Sequence, residues 1–284
     1  MISRQENTIL KAFTGLEGGV VASGSTCGVI TGGSLGLALM HEKTLQQEGI
    51  PAEASLLSLV GEYVEWFRHN FGTTYCRDRT DVDFYTTTGQ LRYFLPGDRV
   101  SRCLWHIGKA VHHLYTYQEK DLLPIDVDQS KTPIHCAKTV LKGVREKTRI
   151  GDPLLERLSF VFDGGVGLKG GICGALVGAV MAINLLFGMN IRDMRYLQTI
   201  KAFIIGHLNL LLDNPIGMPE PFAIGKNIVN EFKDKAEGTE CREIIGRDFK
   251  DWDDFQIYMA SSDKCKELIN LAVNIASDAI ERSR

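Results

Sequence analysis

The chain writes the same passage twice, and that repetition limits its possible folds more than any other feature. The stretch "EGGVVASGSTCGVITG" at residues 17–32 returns as "DGGVGLKGGICGALVG" at residues 163–178, placing Cys173 on Cys27 at an offset of 146. In this register Ile9 falls on Leu155, Leu16 on Phe162, Glu17 on Asp163, and Gly18, Gly19 and Gly24 on Gly164, Gly165 and Gly170. A second block sets "YVEWFRHNFGTTYCRD" against "IVNEFKDKAEGTECRE", so Cys76 meets Cys241 at an offset of 165. A third pairs Cys103 with Cys265 in "CLWHIGKAVHHL" and "CKELINLAVNIA". Three cysteines recur in order in otherwise diverged sequence, which identifies a tandem duplication with 19 extra residues (165 minus 146) between the first two blocks of the second copy.

Each copy reads as helix. Leu154, Leu155, Leu158, Val161 and Phe162 recur at helical spacing, as do Ile9, Leu10, Phe13 and Leu16. "CGALVGAVMAINLLFG" is apolar throughout, with Gly174, Ala175, Gly178, Ala179 and Ala182 near one face where a second helix could approach closely. "YVEWFRHNF", "IVNEFKDKA" and "KCKELINLAVNIASDAI" are amphipathic, and "MRYLQTIKAFIIGHLNLLL" adds a helix ended by "DNPIGMPEP". The expected fold is therefore all-α, two homologous helical units packed as a pseudo-symmetric pair. The units divide at residues 1–130 and 131–284, the seam lying in the acidic, proline-bearing "YQEKDLLPIDVDQSKTP". The second unit opens with an additional segment, "IHCAKTVLKGVREKTR", so it holds four cysteines where the first holds three.

A formal charge of -3, from 32 basic and 35 acidic residues, gives nucleic acid or an anionic membrane no electrostatic purchase. The N-terminal charges Arg4, Glu6 and Lys11 do not fit a secretory signal, so a cytoplasmic location is expected. The uncharged run between Lys169 and Arg192 is long enough to span a bilayer, yet it starts with glycines and a cysteine and its counterpart is broken by His41 and Glu42. A buried central helix is expected rather than a membrane span.

"GVGLKG" matches the G-x-G-x-x-G of dinucleotide-binding turns, but it follows a helix rather than a strand, and the equivalent "GVVASG" lacks the middle glycine. A tight connection with positive backbone angles explains it better. Close approach of backbone to a bound inorganic group would use the same Gly165, Gly167 and Gly170, which stand as candidate cofactor contacts.

The seven cysteines are widely spaced and form no C-x-x-C, so they are not a secreted disulfide framework, a thioredoxin-like dithiol or a compact zinc finger. Cys27 and Cys173 stand where a helix begins, and Cys76 and Cys241 are each followed by arginine, two settings that favour thiolate. Cys173 and Cys241 are thus the candidate catalytic thiolates. In the first unit the three cysteines could complete a metal site only with a further ligand such as His41 or His69 or by a contribution from elsewhere, and that unit is expected to be degenerate or differently used.

Cys136, the "CGALVG" that begins at Cys173, the "CRE" at Cys241, and Cys265 resemble the redox-active proteins named for four cysteines and a Cys-Gly-Ala-x-x-Gly motif. The resemblance covers nearly all of the second half. It extends to the first through "GGVVASGSTCGVITGG", "FGTTYCRD" and Cys103, where Val29 replaces the motif alanine and the first cysteine is missing. A related domain in split-Soret cytochromes is associated with an iron–sulfur centre, so the resemblance implies that Cys136, Cys173, Cys241 and Cys265 hold a metal. Four thiolates suit a [2Fe-2S] cluster or a tetrahedral zinc equally. The same thiols could instead work without any cofactor, as reversible disulfides. A redox partner of unknown kind and a homo-oligomer fit these readings. An enzyme with a cleft between the halves and a helical scaffold whose cysteines only pack also stay open.

Overall fold

A computed structural model describes residues 7–117, 120–123, 125–212, 216 and 221–283. The N-terminal six residues, Pro124 in the seam and most of "DNPIGMPEP" lie outside the described residues. The fold is all-α. In the first half run α1 (Asn7–Phe13), α2 (Gly28–Met40), α3 (Glu42–Glu48), α4 (Ile50–Phe71), α5 (Cys76–Thr80), α6 (Thr87–Phe94) and α7 (Asp98–Tyr115). The second half holds α8 (Cys136–Thr148), α9 (Pro153–Leu158), α10 (Gly174–Phe187), α11 (Tyr196–Asn209), α12 (Pro221–Ala236), α13 (Cys241–Ile245), α14 (Trp252–Ser261) and α15 (Asp263–Glu281). Local chemistry sets several boundaries: Asp152 caps α9 ahead of Pro153, Asp251 caps α14, Ser262 caps α15, and Gly72 ends α4 at φ +83°.

The repeat seen in sequence recurs hydrogen bond for hydrogen bond. In the first half Cys27 N–H donates to Thr74 O, Cys76 N–H to Ser25 O and Arg77 N–H to Gly24 O. In the second, Cys173 donates to Thr239 O, Cys241 to Gly171 O and Arg242 to Gly170 O. Each pair is shifted by the offsets read from the sequence. The glycine-rich turns also match. Residues 18–22 and 164–168 all have positive φ, between 52° and 81°, so each forms a turn of left-handed helix. Such backbone costs non-glycine residues about 1–2 kcal/mol each, yet Val20, Val21, Ala22, Val166 and Leu168 adopt it, with surrounding packing holding them there.

That packing comes from the other half. Gly167 lies against Gly61 of α4, where a Cβ would stand 2.6 Å from the Gly61 nitrogen, and Val21 lies against Gly225 of α12. The 3-10 turn Thr14–Leu16 packs on α10, and the 3-10 turn Ser159–Phe162 packs on α2. One continuous cluster of buried apolar side chains runs through both halves. At its centre α10 touches α8, α15, α1 and α12, and Gly178 admits α8 so closely that a Cβ would meet Val140 Cβ at 2.9 Å. The stretch Gly174–Asp193 has the length and apolarity to cross a bilayer, but 72% of its most apolar window is buried inside the protein, as befits a core helix.

Candidate functional site

Cys136, Cys173, Cys241 and Cys265 lie far apart in sequence but line one cavity. Each is at or near the start of a helix, in α8, α10, α13 and α15 respectively, and the shared core brings those ends together. The remaining walls include Ile244, Phe249, Phe255, Met259 and Leu268. Cys136 and Cys173 are buried, whereas Cys241 and Cys265 are half-buried, so the cavity meets solvent on their side. Among the described residues, no charged side chain lines it.

This apolar setting controls the thiols. Burial pushes Cys136 and Cys241 well above the ordinary thiol range. It lifts Cys173 to about 11 although the amides of Ala175 and Leu176 at the start of α10 pull the other way. Burial raises Cys265 as well. As free groups all four are therefore neutral thiols near pH 7. The arginine that follows Cys241 does not offset this, because Arg242 turns away to Asp248 and to Lys169 O.

The outer partners of the cavity come from both halves. Asp163, fully buried, accepts the Cys136 amide at 2.9 Å and pairs with His135 Nδ1 at 2.7 Å. His135 Nε2 lies 3.3 Å from Glu53 of α4. Burial opposes a charge on His135, but Asp163 and then Glu53 outweigh it and hold the imidazole protonated, at about 9. The counterpart of Asp163, Glu17, faces His207 of the extra helix α11 at 3.3 Å. Across the seam Ser25 Oγ donates to Glu240, and the Ile172 amide donates to Thr26 Oγ1 at 2.8 Å.

Gly165, Gly167 and Gly170 are buried in chain packing. A Cβ would strike Gly171 backbone from Gly165, Gly61 backbone from Gly167, and Asp248 or Arg242 from Gly170.

The first half gathers its three cysteines too. Cys27 and Cys76 lie close enough for each to shift the other's protonation, and that of Cys103 of α7 is shifted in the same way by Tyr93 and by Cys27. Neither His41 nor His69 joins them. His41 sits at the far end of α2 from Cys27, about 20 Å away at 1.5 Å per residue, and His69 is exposed. Cys27 is instead met by Arg79, whose Nη1 donates to its Sγ at 2.7 Å. Sequence reasoning passed over Arg79, although it stands three residues after Cys76 and so on the same side of α5.

For a metal, the second-half donor set is chemically apt, being all sulfur without a competing carboxylate in the cavity wall. The cavity measures about 20 Å³, where a single bound water needs roughly 10–15 Å³, so it has room for at least one ion. The thiols are not closed into a coordination shell: among the described residues, no group of three or more Cys, His, Asp or Glu side chains is arranged to hold a metal ion.

A family model described as "Putative redox-active protein (C_GCAxxG_C_C)" matches residues 1–117 and again residues 134–279. No curated protein and no solved structure gives a significant match.

Proposed function

Because the chain belongs, through both of its halves, to this redox-active family, we propose that the cavity in its second half is a redox centre whose four cysteines bind iron, alone or with sulfide. The observation that carries the reading is the meeting of Cys136, Cys173, Cys241 and Cys265 in one cavity that no cationic side chain lines among the described residues. Four neutral thiols in such a place are poor nucleophiles, because the thiolate is the reactive form and burial disfavours it. A bound cation reverses that balance and displaces the protons. Bound iron supplies a one-electron couple. The protein's part is to hold the ligands: Asp163 fixes the start of α8 through the Cys136 amide, and the Thr239–Cys173 and Gly171–Cys241 bonds fix the starts of α10 and α13. Phe249, Phe255 and Met259 keep water off the sulfur, while half-buried Cys241 and Cys265 offer a partner the shortest approach.

The open arrangement of the free thiols favours a second reading, in which they form reversible disulfides without metal. Purification without air, followed by iron, zinc and sulfide analysis, an absorption spectrum and a thiol count, separates the two. Bound iron that falls when Cys136 or Cys265 becomes serine supports the centre. Metal-free protein in which Cys136, Cys173, Cys241 and Cys265 lose their thiols on oxidation supports the disulfides, and neither result leaves a helical scaffold.

A further inference from the structure

The first half carries a cysteine cluster of a different kind, independent of the iron reading. Arg79 is buried, at 7% exposure, and makes no ion pair with a carboxylate among the described residues. Its Nη1 donates to Cys27 Sγ, its Nη2 contacts His106 Nδ1, and the guanidinium lies over Phe67 with its centre 4.8 Å from the ring. The Nε has no hydrogen-bond partner among the described residues. A guanidinium cannot shed its proton, and burying it without a counter-ion is strongly unfavourable. The group able to balance it is the Cys27 sulfur, as a thiolate. In the register that matches Cys76 with Cys241, Arg79 stands at the position of Ile244, which lines the second-half cavity. The first half thus has a fixed positive charge where the second half has hydrocarbon, and it lacks the fourth cysteine.

The titrating neighbours agree with this arrangement. The hydrogen bond from Cys76, and then Arg79, bring Cys27 down to about 6 against the effect of burial. The Cys27 hydrogen bond and burial keep Cys76 well above the usual range, so it is the proton-bearing partner. From α7, burial and then Arg79 and Arg102 lower His106 to about 4, leaving a neutral imidazole that accepts from Arg79, and burial keeps Cys103 a thiol. Tyr63 of α4 and Tyr93 of α6 are raised by burial and stay neutral.

We propose that Cys27, Cys76 and Arg79 form a metal-free thiol site that reduces small hydroperoxides and closes to a Cys27–Cys76 disulfide. Exposures of 5% at Cys27 and 6% at Cys76 leave no room for a protein disulfide to reach the sulfur, which restricts the oxidant to a small molecule. The Cys27 thiolate attacks the outer peroxide oxygen, the O–O bond breaks, and sulfenic acid forms while the leaving alkoxide takes a proton from water. The Cys76 thiol then attacks the sulfenic sulfur, an S–S bond forms, and hydroxide departs with the Cys76 proton as water. The two electrons lost by the thiols are those gained by the peroxide, and a small dithiol returns them by two exchanges.

The test uses the full chain. Thiolate absorbance at 240 nm, which requires no reagent to enter the site, should show a step near pH 6 that is lost in Cys27→Ser, kept in Arg79→Lys and moved upward by more than one pH unit in Arg79→Ile. One equivalent of hydrogen peroxide followed by non-reducing peptide mapping should give the Cys27–Cys76 disulfide, both in the unaltered chain and in Cys173→Ser. Because the mapping needs no change within the first-half site, a misfolded Arg79 variant does not shield the proposal. Absence of the 240 nm step in the unaltered chain, or disulfides that exclude the Cys27–Cys76 pair, overturns it.

Discussion

Gly167→Ala tests whether the two halves are locked by close backbone approach or only lie side by side. Two costs arise at this position. Its φ of +61° places an alanine in the left-handed region, at about 1–2 kcal/mol. The new Cβ would also stand 2.6 Å from the nitrogen and 2.9 Å from the Cα of Gly61. Both are backbone atoms of α4 and cannot swing aside as a side chain would. Overpacking of that kind costs roughly 1–3 kcal/mol, so the total is about 2–5 kcal/mol, a large share of the ~5–15 kcal/mol that holds an ordinary domain folded. Gly246→Ala is the internal control, since its φ is +74° and no atom lies within 4 Å of the added Cβ; it should lose only the backbone part. Urea unfolding of the unaltered chain and both variants, with equal slopes as the check on two-state behaviour, measures the difference. If Gly167→Ala is no more destabilising than Gly246→Ala, the lock between the glycine turn and α4 is wrong. If it instead removes bound cofactor at unchanged stability, the glycine serves a ligand.

Asp163→Asn should cost about 3–5 kcal/mol, as breaking a buried ion pair does, because the amide cannot balance His135; a urea midpoint near that of the unaltered chain would refute the pairing. Burial raises Glu240 to about 7, and a carboxyl that is protonated in the folded chain but ionised in the unfolded one favours folding less as pH rises. Stability should therefore decline from about pH 4.5 to 7 by roughly 3 kcal/mol at 1.36 kcal/mol per pH unit, and Glu240→Gln should flatten that slope in urea midpoints taken at pH 5 and pH 8. Stripping iron with a strong chelator under reductant should lower the midpoint of thermal unfolding, since ligand binding to the folded form alone is a stabilising term; an unchanged midpoint would count against the metal centre.

The repeat was legible because glycine and cysteine positions survive where apolar residues interchange freely, and both offsets reappear as matched hydrogen bonds at Cys27, Cys76, Cys173 and Cys241. The all-α fold followed from helical spacing, and the gathering of the second-half cysteines from the resemblance to a four-cysteine family. Which arginine acts on a cysteine was not legible. Arg77 and Arg242 adjoin cysteines in sequence, but consecutive residues on a helix point in different directions. Their side chains accordingly leave the thiols, Arg77 for Gly24 O and Arg242 for Asp248. Arg79, one turn beyond Cys76, is the residue that returns to the cluster. The role of α11 was hidden for another reason. His207 reaches Glu17 and Gln90 in the opposite half, and contacts across such sequence separations leave no periodic trace.

One physical variable separates the two clusters: the source of positive charge. Cysteine sulfur in an apolar core stays protonated unless something stabilises the anion. In the first half Arg79 does so permanently, which fixes one thiolate and fills space beside it. In the second half Ile244 occupies the aligned position, Cys136 adds a fourth sulfur from α8, and the thiols remain neutral. Exchanging the aligned residues makes this difference measurable. Ile244→Arg would place a guanidinium among Cys136, Cys173, Cys241 and Cys265, so iron content should fall while a new thiolate step near neutral pH appears at 240 nm. Retention of full iron with no new thiolate would show that the cation at this position does not decide what the cysteines do.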